Sequence, residues 1–592
     1  MSVIPFLQDN LTALAKIGSP VVKWIESHAV SPEVVAGRLH RNSKGNLDYA
    51  PEQGPSLYGA MPPGMVYRGW APADDGRLAA GATIIIGSGL GYGINTVLTN
   101  TPNTHKVLVV EPWPELLTAC LGLTDYRPFI NAKKLIFLPP DKAAFETALK
   151  TLDVCFLFGR IHLRADMACK QHGPQYAQWT EHVRARLENT SVELSTLRQK
   201  QDVMVGNELK NYHQAMLDGS LLGLRGMARG VAAVIMGAGP SLARFAPELS
   251  RRRGHALYTT ALQTLPALEG MGFKPDLCMA IDFRPEMRTS IDRLKDRSFA
   301  ADIPLIYSTK MDPDVLALYP GPKLPMWTVG GIATYVLANQ ELVMDGGGNV
   351  AVALCRFLIA CGVGSILLVG QDFSWSGDTT HVSGHHASAT RHAYDPKRHM
   401  ALKNSHGETI YTNVGYMAAK RDMEKSLGEG HIPVYNLYGG GVPISSAENV
   451  TLEQAHRSGA LASAPGSLEW FRNALERSRT PRVRPIFSAR APKWSTSLKN
   501  VTGRIEKLFK NPGKNAVEIR VMFERVRYFL RQDPLYMPYL YNEIMDMAGL
   551  CHARATYGIK DMVEFRRIRK RVLEKVREMD QVLCSSREWR AA

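Results

Sequence analysis

The sequence predicts an α/β protein with two Rossmann-like domains in succession and an α-helical C-terminal domain. Three observations predict it. Apolar runs of four or five residues alternate with segments of helical spacing, the pattern of parallel βαβ units. Two of the runs break into glycine turns, Gly87-Ser88-Gly89-Leu90-Gly91 and Gly237-Ala238-Gly239-Pro240. After residue 498 the apolar positions keep helical spacing, with Val517, Ile519, Phe523 and Val526 among them.

Length and composition narrow the class. A chain of 592 residues is too long for one core. Its 45% apolar and 21% charged residues describe a globular protein, not a disordered or fibrous one. The eight cysteines are scattered without a Cys-x-x-Cys pair, which argues against a zinc ribbon or a disulfide scaffold and for buried thiols at Cys155, Cys278 and Cys355. The N-terminal residues show no basic, apolar and small-residue leader pattern, and no apolar run reaches the roughly 18 residues of a membrane span. A cytoplasmic protein with no membrane span is expected. The net charge of +16 favours anionic partners, but the basic residues are dispersed, so nucleic acid is not the favoured one.

The N-terminal Rossmann-like domain is expected over residues 1–174, with strands Ala82–Ile86, Lys106–Val110, Lys134–Leu138 and Asp153–Leu157. Glu111 follows the first glycine turn at the distance of an acidic residue that holds a ribose hydroxyl. A nucleotide or S-adenosylmethionine pocket and a scaffold that has lost its ligand both fit. Residues 175–225 read as a helical connector. The central domain, 226–460, is expected to contain strands Ala232–Met236, Ala256–Thr259, Leu277–Ile281, Pro304–Tyr307, Ser365–Val369 and Pro433–Asn436. Residues 461–497, rich in Pro, Ser, Ala and Arg, read as a linker, and 498–592 as the helical domain. Over 501–592, 19 basic residues face 12 acidic ones, which suits a solvated helix face or an acidic partner surface.

Ligands of parallel sheets sit at the carboxyl ends of the strands. Those ends supply Gly237, Gly239, Pro240 and Ser241, then Thr260 and Gln263, then Asp282. Ser241 stands where a helix N-cap belongs, and Gly239 where close approach or a positive φ demands glycine. Gly348 and Asn349 open a second helix and offer a second anion site. Gln371, Asp372 and Ser374 end another strand. Six of the seventeen histidines follow between 381 and 406. Among these, His381 or His385 is the candidate general base, because an imidazole titrates near neutrality. The His381-x-x-x-His385 spacing also suits zinc, but Gly377, Gly384 and the neighbouring Ser and Thr residues read as a loop. Asp312-Pro-Asp314 fits either a metal–nucleotide ligand or a helix start.

These residues carry a resemblance. Gly-Ala-Gly-Pro-Ser-Leu at 237–242, Lys-Pro-Asp…Asp at 274–282, Gly-Gly-Asn-Val at 347–350 and Gly-Gln-Asp-Phe at 370–373 resemble the central domain of the motility accessory factors. That family comprises bacterial glycosyltransferases of flagellin. The motifs also resemble sialyltransferases that use CMP-activated sugar, and MptE-like pterin diphosphokinases share the glycine turn. Asn349 departs from the usual serine, and Ser374 stands where sialyltransferases carry a tyrosine. The resemblance implies a sialyltransferase-like central domain. The implied enzyme is inverting and metal-independent, moving a nonulosonic acid (pseudaminic or legionaminic type) from a CMP donor to Ser or Thr of flagellin for motility. No cofactor is implied beyond the donor. The implied donor contacts are the strand-end residues above, and the implied base is His381 or His385. A non-catalytic flagellin-binding chaperone and an ATP-dependent 6-hydroxymethylpterin diphosphokinase are the alternatives.

Overall fold

The computed structural model describes residues 3–73, 80–331, 341–481, 507, 515–532, 539–553 and 558–585. The chain divides into two compact units. One comprises residues 1–199, 505–532 and 542–572, and the other 200–504, 533–541 and 573–592. A 45-residue helix, Pro174–Asp218, runs from the first into the second where the helical connector was expected.

The first unit begins with helices and an antiparallel pair, β1 (Leu39–Arg41) and β2 (Leu47–Tyr49). A parallel sheet follows, of β3 (Ala82–Ile86), β4 (Lys106–Val110), β5 (Leu135–Leu138) and β6 (Ile161–Ala165), in the order β5-β4-β3-β6. The expected fourth strand at 153–157 is wrong: Asp153–Phe158 is a helix, and the strand lies at Ile161–Ala165. Val154 and Cys155 are buried and Phe156 packs against the same core as Cys155, so an apolar run that short fits a strand or a buried helical turn equally well. C-terminal helices complete this unit. Phe523 of Ala516–Gln532 meets Phe565 of Ile559–Ser585 at 4.4 Å between ring centres, and Arg571 pairs with Asp546 of Tyr541–Ala553 at 2.5 Å.

The second unit is built on a nine-stranded, wholly parallel sheet. Its strands are β7 (Ala232–Met236), β8 (Leu257–Ala261), β9 (Leu277–Ala280), β10 (Leu305–Ser308), β11 (Lys323–Thr328), β12 (Val343–Met344), β13 (Ser365–Val369), β16 (Val434–Leu437) and β17 (Glu448–Val450). An antiparallel pair, β14 (His399–Lys403) and β15 (Thr409–Asn413), stands apart from it. The sheet order is β12-β11-β10-β9-β8-β7-β13-β16-β17. Every expected central strand is present within one or two residues. Those not foreseen, β11, β12, β14, β15 and β17, are proline-interrupted, short or polar at alternate positions. The expected linker begins differently: Ser467–Arg477 is a helix that buries Leu468, Phe471 and Leu475 against Leu221 and Leu224. Residues 482–497 lie outside the described residues.

The long helix braces the carboxyl edge of this sheet. Asn207 donates to the carbonyls of Phe283 (3.0 Å) and Lys310 (3.1 Å), and Asn211 to those of Thr309 (2.9 Å) and Met311 (2.7 Å). One helical turn apart, the two amides satisfy loop carbonyls that follow β9 and β10. Among the described residues, no helix is long and apolar enough to cross a membrane.

Candidate functional site

Strand order in the large sheet reverses between β7 and β13, and the crevice beyond such a reversal is where open α/β sheets bind ligands. The turns that follow these two strands meet there. The Gly237 N–H donates to Val369 (2.7 Å) and the Gly239 N–H to Gly370 (2.9 Å). Ser241 donates its N–H to Asp372 Oδ2 (2.8 Å) and its hydroxyl to Asp372 Oδ1 (2.6 Å). Two expectations change. The N–H groups of Gly237, Gly239 and Ser241 are already engaged within the fold, and Ser241 makes no side-chain cap because its hydroxyl goes to Asp372. Gly239 is glycine for space, since its φ is not positive: a Cβ there would lie 2.5 Å from Asp372 Oδ2. Burial raises the Asp372 carboxyl pKa, and the two bonds from Ser241 pull it back. A third turn closes on the same point, because a Cβ at Gly439 would lie 2.1 Å from that of Ser241.

Two side chains here carry an unsatisfied buried atom. Gln371 is 8% exposed, its Nε2 has no partner, and it abuts Gly237, where an added Cβ would come within 2.4 Å of it. Leaving a buried donor unpaired costs about 1–3 kcal/mol, so an acceptor on a ligand would find it ready. Gln263 likewise has a buried Oε1 without a partner. Thr260 and Ser374 are turned inward, donating to Met236 O (2.7 Å) and Asp372 O (3.1 Å). Phe373, between Asp372 and Ser374, holds a left-handed φ of 49°. Asp282 is forked by Arg284, with Nη2 at 2.6 Å. Asn349 caps Val350–Cys361 through Ala351 N (2.7 Å), and the space beside Gly348 is open. That cap lies beyond β12 on the same sheet edge, with no hydrogen bond joining it to the glycine turn. Asp312 caps Pro313–Leu318, so it is a helix start.

The histidine loop is fastened to the crevice. Val382 N donates to Ala238 O (2.9 Å), and Arg293 donates to His385 O (3.1 Å). His381 and His385 stack at 4.2 Å with 7° between their planes, and His386 lies 4.3 Å from His385. Burial, then the charges of His386 and His392, lowers the His381 pKa to about 4. Burial, then His381, His386 and Arg293, lowers that of His385 to about 2. Both rings are therefore neutral at physiological pH, but the expected titration near neutrality does not hold: burial makes both weaker bases than a free imidazole, His385 more so than His381. His385 Nδ1 already accepts from Ala387 N (3.2 Å), whereas His381 Nδ1 pairs with the Thr380 hydroxyl (2.8 Å). Tyr416, invisible to motif reasoning because it lies on the helix Val414–Gly430, stands edge-on to His381 at 6.3 Å. The rings of His392 and His399 lie 6.3 and 5.1 Å from that of buried Trp375.

The glycine turn of the first unit lies at a similar reversal, between β3 and β6. It is filled. Residues 87–91 are all buried, Leu90 N donates to Tyr58 OH (3.2 Å), and Tyr67 links Tyr58 (3.0 Å) to Asp166 (2.8 Å). The Glu111 oxygens accept from Ser88 N and Oγ, Trp113 N and Tyr176 OH, so Glu111 secures the turn and has no oxygen left for a ribose. Burial pushes its pKa up to about 7, with those bonds opposing. Of the two readings, the scaffold is the one that fits.

Comparisons with known proteins add to this geometry. Residues 206–378 match the family model of MptE-like 6-hydroxymethylpterin diphosphokinases. The match includes the glycine turn and Gln371 and stops short of His381. No curated protein matches the sequence. The fold is similar to the solved structure of a Maf glycosyltransferase from Magnetospirillum magneticum AMB-1, with a TM-score of 0.59 and 15% identity over 99% of this chain and 97% of that one.

Proposed function

We propose that the second unit transfers a nonulosonic acid from a CMP-activated donor to serine or threonine hydroxyls of flagellin. The observation that carries this reading is the joining of two features at the sheet reversal. A glycine turn with the unpaired amide of Gln371 is bonded, through Ala238 and Val382, to a loop presenting neutral imidazoles. The unpaired amide of Gln371 suits a nucleotide phosphate oxygen, and the imidazoles suit removal of a hydroxyl proton.

In the proposed reaction the acceptor oxygen attacks the anomeric carbon while the bond to the CMP phosphate breaks. His381 takes the hydroxyl proton, and CMP leaves with the bonding electrons. One displacement inverts the anomeric centre and needs no metal. Gln371 offers its unpaired Nε2 to the growing phosphate charge. His381 is preferred over His385 because its pKa is higher and its neighbour is a hydroxyl, not a backbone N–H. The fold shared with a Maf glycosyltransferase supports the reaction class. We place the reaction in the cytoplasm, before export of the flagellin.

The test is CMP release from CMP-pseudaminic or CMP-legionaminic acid with flagellin, read with the mass gain of flagellin. Binding of both without turnover would favour the chaperone reading. The match over 206–378 favours a second reaction, pyrophosphoryl transfer from ATP to a hydroxymethylpterin. Product formation from ATP, magnesium and the pterin, with no use of CMP-sugars, would establish it.

A further inference from the structure

Next to the histidine stack lies a pocket of about 270 Å³, lined by Asp282, Arg284, Glu286, Arg293 and His386, among others. Its two guanidinium groups are unlike each other. Arg284 is spent internally: it forks onto Asp282, with Nε at 3.0 Å and Nη2 at 2.6 Å, and Glu286 adds a second negative charge nearby. Arg293 has no carboxylate within ion-pair distance among the described residues. One of its N–H groups goes to His385 O (3.1 Å), and the rest of the fork is uncommitted. The charge of Arg293 also depresses both His385 and His386, as an unneutralised cation would. His386 lines the pocket and lies 4.3 Å from His385, which stacks at 4.2 Å on His381. The pocket is therefore two ring spacings from the proposed base.

We propose that this pocket is the sugar subsite, with Arg293 binding the carboxylate of an acidic sugar and the Asp282–Arg284 pair facing its hydroxyl and acylamido groups. The proposal rests on the glycosyl-transfer reading and gives it a specificity residue. In a nonulosonic acid the carboxylate is borne by the anomeric carbon itself. A guanidinium that fixes the carboxylate therefore fixes the carbon to be attacked, close to the group that takes the acceptor proton. A neutral sugar would forgo the ion pair with Arg293, and that difference in affinity is how the pocket would select an acid.

An anionic group in this pocket has two sources, the sugar carboxylate and the nucleotide phosphate, and three probes separate them. Calorimetry or saturation-transfer NMR would compare N-acetylneuraminic acid, its methyl ester and CMP, on the wild type and on Arg293→Gln and Arg293→Lys. The acid should bind the wild type at least tenfold more tightly than the ester. Arg293→Gln should abolish that preference, Arg293→Lys should restore part of it, and CMP affinity should stay within about twofold throughout, because charge-assisted bonds are worth about ten- to a hundredfold in affinity. Equal binding of acid and ester, no binding of the acid, an indifferent Arg293→Gln or a selective loss of CMP would each overturn the proposal. The acid–ester comparison uses the unaltered chain, so it decides the matter even if Arg293→Gln misfolds. If the wild type ignores CMP but keeps an Arg293-dependent preference for the acid, the subsite stands and the CMP-donor reading falls.

Discussion

Replacing Gly439 by alanine should damage the crevice through its neighbour Ser241. The new Cβ would lie 2.1 Å from the Ser241 Cβ, where ordinary contact begins near 3.4 Å, so something must move by about 1.3 Å. Ser241 is not free to give way, because two hydrogen bonds hold it to Asp372. Overpacking costs about 1–3 kcal/mol, and loss of one charge-assisted bond adds about 1.5–3 kcal/mol. Relaxation absorbs part of this, so a destabilisation of about 2–4 kcal/mol is expected by urea unfolding, with CMP affinity reduced at least tenfold in the protein that remains folded. Gly440→Ala is the control. Its φ of 98° makes alanine strained, at about 1–2 kcal/mol, but the nearest atom to its Cβ is Asn404 Nδ2 at 3.4 Å. That variant should lose stability and keep CMP affinity. A Gly439→Ala protein within 0.5 kcal/mol of wild type, or one binding CMP normally, would refute the argument that Ser241 and Asp372 form a rigid clamp.

Three further outcomes are expected. Gly239→Val should abolish CMP binding in a folded protein, by crowding Asp372 and Gly370 O; unchanged calorimetric affinity would reduce the turn to a connector. His381→Ala should lower turnover by about 10²–10⁴ with CMP affinity intact, and activity should survive chelation. Because the neutral ring is the competent form and its pKa is lowered to about 4, kcat/KM should be flat from pH 8 to 6 and fall only as pH approaches 4. A half-point near 6.5 would point to another base. The same shifts govern stability: both histidine pKa values lie below the unfolded value of about 6.5, so the unfolded chain binds protons first. Stability contributed by the stack is thus complete above about pH 6.5 and is lost on acidification, and His385→Gln should flatten that slope in urea unfolding.

Much of the second unit was legible in its sequence. Its central strands are short apolar runs, two of them running into Gly237 and Gly370, and the strand-end rule groups Gly237–Ser241 with Gln371–Ser374. The partners of these residues were not legible. That Ser241 would serve Asp372 in place of its own helix depends on a pairing 131 residues apart, which no local pattern carries. Arg293 follows the short helix Arg288–Asp292 and Tyr416 lies on Val414–Gly430, segments without motif character, and only the fold brings them to His385 and His381. Gly439-Gly440-Gly441 was a visible signal, a third glycine turn after a strand. In the first unit the glycines and Glu111 looked like a ligand site because the residues that fill it, Tyr58 and Tyr67, come from a segment without motif character.

The filled turn of the first unit changes how variation in this chain should be interpreted. The two glycine-rich segments look alike as text, yet they obey different rules of tolerance. At Gly91 a methyl group would lie 2.4 Å from Tyr126 OH, on a backbone with a φ of 87°, inside a region wholly given over to the protein's own side chains. A lesion there is a lesion of folding, to be repaired by a compensating change in a neighbouring aromatic and measured as abundance. A lesion at Gly239 meets a surface that is still partly open, and no second-site change in the core can be expected to rescue it. Relatives of this chain should therefore exchange the first turn together with its tyrosines, as one block, while the second turn varies only with what the protein binds.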